Sequence, residues 1–178
     1  MNKSLRINKL INPFNKTISV EGDKSLSIRW VLLSFLSKKK SVAYNLLKSE
    51  DVFSALNCIK KLGAKVKISK DKFNIIRIWL NYKQKENLIL NAGNSGTLGR
   101  LILGLLINYK NKIKLVGDKS LSKRDFSRVT APLKKFGATF SSKKNLPLTM
   151  KGTNKPKSIN YIENKGSAQC KTSIMLAA

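Results

Sequence analysis

An internal spacing constrains this chain more than any other feature. Arg29, Arg100 and Lys171 follow one another at 71-residue intervals, and each closes a short polar stretch that holds glycine and serine. Gly22 to Arg29 leads into W-V-L-L-S-F-L, Gly93 to Arg100 into L-I-L-G-L-L-I, and Gly166 to Lys171 into T-S-I-M-L-A-A. A second pair of landmarks agrees. Gly63-Ala64 follows I-K-K-L, and 74 residues later Gly137-Ala138 follows L-K-K-F. Self-similarity at a fixed period marks a repeated supersecondary unit that buries its apolar face against its neighbours. Each unit of about seventy residues reads as strand, polar loop, buried helix, strand, amphipathic helix and strands. The third copy reaches only its first helix at Ala178. The expected fold is α/β, built of βαβαββ units with the third truncated.

Local signals place the elements. Thr17 to Val20 alternates as a strand should, Gly22 to Ser25 reads as a loop, and Ser27 to Ser37 as the first helix. Ser41 to Leu47 leans toward strand. Glu50 to Leu62 carries Val52, Ala55, Leu56, Ile59 and Leu62 on one stripe, with acids in its first turn and Gly63 as its terminator. Ala64 to Ile68, Phe73 to Leu80 and Leu88 to Asn91 read as strands. Asp51 and Asp125 open the two amphipathic helices at the same offset from their closing glycines.

Formal net charge is +27, from 36 Lys and Arg against 9 Asp and Glu. Such a balance raises nucleic acid or an anionic surface as a partner. Lysine outnumbers arginine 30 to 6, however, and Asn and Ile are abundant, as A/T-rich codon usage alone would give. Lysines also occur in every segment. The expectation is therefore a solvated lysine-rich surface, with no nucleic acid and no membrane among the partners. The chain contains no histidine, which excludes Ser-His-Asp and Cys-His chemistry. Cys58 and Cys170 stand far apart and provide neither a zinc ligand set nor a disulfide framework. No metal or organic cofactor is expected. The first residues lack a signal-peptide core, and no apolar run reaches membrane-spanning length, so a cytoplasmic setting is expected.

The polar stretches carry the chemistry. A glycine-serine turn feeding a helix offers free backbone N–H groups and the positive end of the helix dipole, which suit an anion. Lys24 and Arg29 add charge to the first, and Ser25 and Ser27 add hydroxyl donors. Arg29, Arg100 and Arg124 suit bidentate pairing with carboxylate or phosphate. Gly117 to Arg124, G-D-K-S-L-S-K-R, nearly duplicates Gly22 to Arg29, G-D-K-S-L-S-I-R, but precedes the other helix class, and chance is given part of that match. There is no Walker pattern and no G-x-G-x-x-G, so nucleotide folds are not supported.

These stretches, in this order, resemble the N-terminal part of the 5-enolpyruvylshikimate-3-phosphate synthase family. Gly22 to Arg29 looks like its first substrate loop, and Gly93-Asn94-Ser95-Gly96-Thr97 with Arg100 like its G-N-[AS]-G-T…R signature. Gly117 to Arg124 with Arg128-Val129 and Pro132-Leu133 resembles its G-D-x-S-L-S-x-R-P…R-V…P-L block. Leu146-Pro147-Leu148-Thr149 with Gly152 and Ser167-Ala168-Gln169 with Lys171 resemble two further blocks.

The resemblance implies an inside-out α/β barrel domain and transfer of the enolpyruvyl group of phosphoenolpyruvate to the 5-hydroxyl of shikimate 3-phosphate, releasing phosphate. Carried over, Lys24, Ser25, Arg29, Ser167, Ala168 and Gln169 would bind shikimate 3-phosphate. Lys24, Gly96, Arg124 and Gln169 would bind phosphoenolpyruvate, and Asn94 and Arg100 would shape the second loop. Lys24 is the candidate catalytic group, as proton donor or charge stabiliser. Residues 1–20 would belong to a C-terminal domain that is missing, and 21–178 to an incomplete N-terminal substrate-binding domain. The chain would lack the C-terminal aspartate and further basic residues and be inactive alone; the complete protein would be a monomer. Glu21, Ile28 and Asp125 depart from the pattern. Two other readings are a relative of UDP-N-acetylglucosamine enolpyruvyl transferase, which shares the barrel, and a basic RNA-binding module.

Overall fold

The computed structural model describes residue 13 and residues 15–37, 39–69, 76–80 (backbone only), 87–141, 144–164 and 166–178. Expectations for 1–12 and 73–75 fall outside the described residues.

Helix α1 spans Lys24–Leu36 and starts three residues before the expected Ser27. The cause is Asp23. Its carboxylate accepts from Leu26 N at 2.7 Å and its carbonyl from Ser27 N at 2.9 Å, so Lys24 and Ser25 enter the first turn. Strand β1, Ser41–Ala43, is shorter than the segment expected. Helix α2, Glu50–Lys61, is capped by Ser49, carries Glu50 and Asp51 at its positive end and ends in Lys60 and Lys61. Its stripe is buried as expected. Gly63 then turns the chain at φ +105°, a conformation open to glycine at little cost. Strands β2 (Ala64–Ile68) and β3 (Ile76–Leu80) pair antiparallel, Ala64 opposite Leu80, and β1 lies on the other edge of β3.

The second unit repeats this plan with one more strand. It contains β4 (Leu88–Asn91), α3 (Gly96–Leu105), β5 (Lys112–Val116), α4 (Ser127–Phe136), β6 (Thr139–Phe140) and β7 (Leu148–Lys151). The sheet order β5-β7-β6 repeats β1-β3-β2, and β4 adds a parallel partner to β5. Gly137, at φ +111°, closes α4 as Gly63 closes α2. The start of α4 does not repeat α2. Asp125 stays outside it, with a side-chain oxygen accepting from Ser127 N at 2.6 Å, so α4 begins three residues later in the repeat frame.

Helix α5, Ala168–Ala177, opens the third unit. Thr17–Val20 stands 71 residues before β4 and is its counterpart in sequence, yet it joins no sheet. Ile18 and Val20 are 78% and 71% exposed. The expected strand is present as a pattern without a partner.

The core runs along α3. Every residue of α3 except Arg100 is buried, as befits a helix apolar on all sides. Helix α5 lies against it closely enough that a Cβ on Gly104 would overlap the carbonyl of Ser173, and Ser173 Oγ donates to Arg100 O at 2.9 Å. Helices α1 and α2 pack on one side of α3, and α4 packs against α3 and α5.

Candidate functional site

The helix N-termini gather at one end of the molecule, and the polar turns that precede them touch in sequence. At α1, Arg29 Nη1 donates to the Ser25 carbonyl one turn back at 3.2 Å, so Lys24, Ser25 and Arg29 share the helix's first turns. The Lys24 ammonium reaches α2, with Nζ 3.2 Å from Asp51 Oδ2; Lys24 is 55% exposed and Asp51 18%. One turn further along α2 is Ser54, on the same face as Asp51. A Cβ on Gly93 would stand 3.0 Å from Ser54 Oγ, so the second loop rests against α2 at a glycine.

The fourth turn, Gly117 to Arg124, docks on that second loop. Asp118 N donates to Gly93 O at 2.8 Å, and Asn94 Nδ2 to Asp118 Oδ2 at 2.6 Å. The Leu121 N–H and then the Asn94 amide hold the Asp118 carboxyl below its ordinary pKa. The near-duplicate of Gly22 to Arg29 proves to be structural. Asp118 Oδ1 accepts from Leu121 N at 2.7 Å, as Asp23 accepts from Leu26 N, and its carbonyl accepts from Ser122 N as Asp23's does from Ser27 N. The turn brings Arg124 to the start of α3. A Cβ on Gly96 would come 3.0 Å from Arg124 Nη1 and 2.8 Å from Arg100 Nη1.

Arg100 ties the cluster to the third loop. Its Nη1 donates to Gly96 O at 3.2 Å and to Gln169 Oε1 at 3.0 Å, and its guanidinium lies over the Phe126 ring, 5.2 Å from the centroid. Burial lowers the Arg100 pKa, with Arg124 and Arg128 pushing the same way against Cys170. The Gln169 amide donates in turn to Thr97 Oγ1 at 3.0 Å. Ser167 caps α5, accepting from Cys170 N at 3.3 Å, and Ala168 is exposed beside it.

Gly96, Arg100, Arg124 and Gln169 are therefore in one cluster, with Asn94 fastening the Arg124 turn. Lys24, Ser25 and Arg29 join it through Asp51, Ser54 and Gly93. Sequence reasoning missed Asp51, Thr97, Phe126 and the pair Arg128–Glu163, whose Nη2 and Oε1 are 2.8 Å apart. Thr97 and Arg128 lay inside recognised motifs, and Asp51 had been given only a helix-dipole role. Glu163 carried no local signal. Of the departures, Asp125 caps the start of α4, Ile28 is fully buried and Glu21 is exposed.

The profile of the EPSP synthase (3-phosphoshikimate 1-carboxyvinyltransferase) family matches residues 9–178. The chain belongs to the EPSP synthase family. The 3-phosphoshikimate 1-carboxyvinyltransferase of Streptococcus pyogenes serotype M2 is 36% identical over 179 residues, covering 99% of this chain and 42% of that protein. Its counterpart from Caldicellulosiruptor saccharolyticus is 38% identical over 165 residues, covering 90% of this chain and 38% of the relative. The structure of EPSP synthase from Acinetobacter baumannii superposes with a TM-score of 0.82 at 30% identity, over 90% of this chain and 37% of that one. This likeness bears out the enolpyruvyl transferase fold expected from the repeat and the motifs. The chain spans about two fifths of the length of the curated relatives it matches. Among the described residues, no helix is long and apolar enough to cross a membrane.

Proposed function

We propose that this chain is the part of a 3-phosphoshikimate 1-carboxyvinyltransferase that gathers the two acidic substrates. Lys24, Ser25 and Arg29 on α1, with Ser167, Ala168 and Gln169 at the start of α5, hold shikimate 3-phosphate. Gly96 presents its backbone, and Arg124 its charge, to phosphoenolpyruvate. Lys24 and Gln169 face both. Residues 21–178 form the substrate-loop domain, and 1–20 pair with the other domain.

The chemistry asks for this set. Addition of the 5-hydroxyl to the enolpyruvyl carbon, then loss of phosphate, passes through a tetrahedral intermediate. Carboxylate and phosphate must be held rigidly while charge shifts between them. Lys24 supplies a proton or a positive charge near the bridging oxygen, and the helix N-termini supply oriented N–H groups. Arg100 is held by Gly96, Gln169 and Phe126, so it fixes the distance between the second and third loops and leaves Arg124 for the ligand. The turnover step draws on residues of the second domain, so this chain binds without turning over.

The observation that carries the reading is the unbroken string of contacts from Lys24 through Asp51, Ser54, Gly93 and Asp118 to Arg124, Gly96, Arg100 and Gln169. Calorimetric titration with shikimate 3-phosphate and, separately, UDP-N-acetylglucosamine tests it. Saturable binding of the first, abolished by Lys24→Ala with Arg29→Ala, is the expected result. Preference for the nucleotide sugar would assign the chain to the sibling transferase, and binding of neither would refute the substrate-gathering role.

A further inference from the structure

The fold sorts charge in a way the sequence conceals. Seven acidic residues are described, and all lie at the end where the helix N-termini meet. Glu21 and Asp23 precede α1, Glu50 and Asp51 open α2, Asp118 and Asp125 flank the Arg124 turn, and Glu163 pairs with Arg128 in the first turn of α4. Among the described residues the opposite pole carries no acid. It is built where α3, α4 and α5 end: Gly152 N donates to Tyr109 O, Thr153 N to Ile107 O, and Lys157 N to Phe136 O.

Lysines crowd that pole. Lys110 follows α3, Lys134 lies in the last turn of α4, and Lys155 and Lys157 follow β7. Lys112 and Lys151 face each other directly across the β5–β7 pair, both exposed. Like charges at such a position destabilise a sheet. Helix-dipole compensation accounts for Lys134, and Lys61 and Lys135 are engaged, with the Ile89 carbonyl and the Tyr161 ring. No such role covers Lys110, Lys112 and Lys151. Beside them a polar cavity of about 310 Å³ is lined by Lys110, Lys151, Gly152, Thr153 and Asn154.

We infer that this pole is a docking surface for the phosphodiester backbone of RNA, with Lys110, Lys112 and Lys151 at its centre. Lysine without exposed aromatic rings reads phosphate, not base, so the binding is independent of sequence. A concave pocket between two ammonium groups takes a protruding phosphate, which a flat lipid surface does not offer. The surface lies away from the substrate loops and does not depend on the function proposed for them. It revises the expectation of no nucleic-acid partner, which rested on lysines being spread evenly along the chain.

The test is fluorescence anisotropy of a labelled mixed-sequence single-stranded RNA with the whole chain over a range of KCl. About five phosphate contacts give a slope of log K against log[salt] of roughly −3.5. Lys110→Glu, Lys112→Glu and Lys151→Glu together are expected to lower affinity at least about 30-fold and flatten the slope by about 2. The milder Lys→Gln triple follows in the same direction if charge reversal disturbs folding. A control triple at the other pole, Lys48→Glu, Lys119→Glu and Lys144→Glu, is expected to change affinity less than about threefold. Equal losses from both triples, or binding of phosphatidylserine vesicles but not RNA, would overturn the inference.

Discussion

Gln169 Oε1 accepts from Arg100 Nη1 at 3.0 Å, across 69 positions of sequence, while the other end of the same amide donates to Thr97 Oγ1. One side chain at the start of α5 thereby fixes a half-buried arginine and the first turn of α3. Gln169→Leu removes both bonds and is expected to cost about 1.5 to 3 kcal/mol of stability, the range for a hydrogen bond to a charged group. Gln169→Glu keeps the shape and pairs with Arg100, so urea denaturation should show a change under about 1 kcal/mol. It also places a negative charge where the ligand is anionic. Its affinity for shikimate 3-phosphate should fall at least about tenfold while stability holds.

Gly104 is where α3 and α5 come closest, with no room for a side chain before the Ser173 carbonyl. Gly104→Ala must push the helices apart and break the Ser173–Arg100 hydrogen bond. Overpacking of this kind costs about 1 to 3 kcal/mol, more where backbone must move. Thermal unfolding should show a clear drop in Tm, and substrate binding should weaken with it, because Arg100 and Gln169 lie one to two turns away on the same helices.

Gly96→Ala is expected to behave differently. Its Cβ would meet the ends of Arg100 and Arg124, which are flexible side chains, not backbone. Stability should change by less than about 1 kcal/mol. Displacement of the Arg124 guanidinium should weaken phosphoenolpyruvate more than shikimate 3-phosphate, which paired titrations would separate.

Cys58 is buried under α2, its thiol donating to Asn91 O at 3.3 Å, and burial pushes its pKa up to about 11. In the unfolded chain this thiol loses its proton near pH 9, and in the folded protein only near 11. Between those values the folded state binds the extra proton, so stability falls as pH rises, by at most about 2 to 3 kcal/mol. Cys58→Ala should remove this component from the difference between the two stability curves from pH 9 to 11, while costing some packing at all pH. A thiolate reagent at neutral pH should leave Cys58 unmodified until the protein unfolds.

Much of the architecture was legible because few residues can do what Gly63 and Gly137 do after an amphipathic stripe, and because the 71-residue spacing is independent of detail. Helix starts were less legible. Lys24 and Ser25 read as loop because their polarity hid the Asp23 cap. The Gly117 to Arg124 turn shares that cap, yet it forms only a short 3₁₀ turn, Leu121–Lys123, where α1 continues. The seventh position explains the difference: Ile28 is fully buried on a helical path, whereas Lys123 is exposed and cannot follow it inward. Thr17–Val20 showed the alternation of a strand, but alternation does not reveal whether a partner strand is present. The motif residues around Gly96 and Gln169 were visible in sequence. Their link through Arg100 was not, since a contact across 69 residues leaves no local trace.

Amide chemical-shift mapping of the ¹⁵N-labelled chain during titration with shikimate 3-phosphate tests the central claim most directly. The account expects perturbations in three separate stretches at once, at Lys24 to Arg29, at Asn94 to Arg100 and at Ser167 to Lys171, saturating together with one dissociation constant. Shifts confined to one stretch, or gathered around Lys110 and Lys151 at the opposite pole, would contradict it.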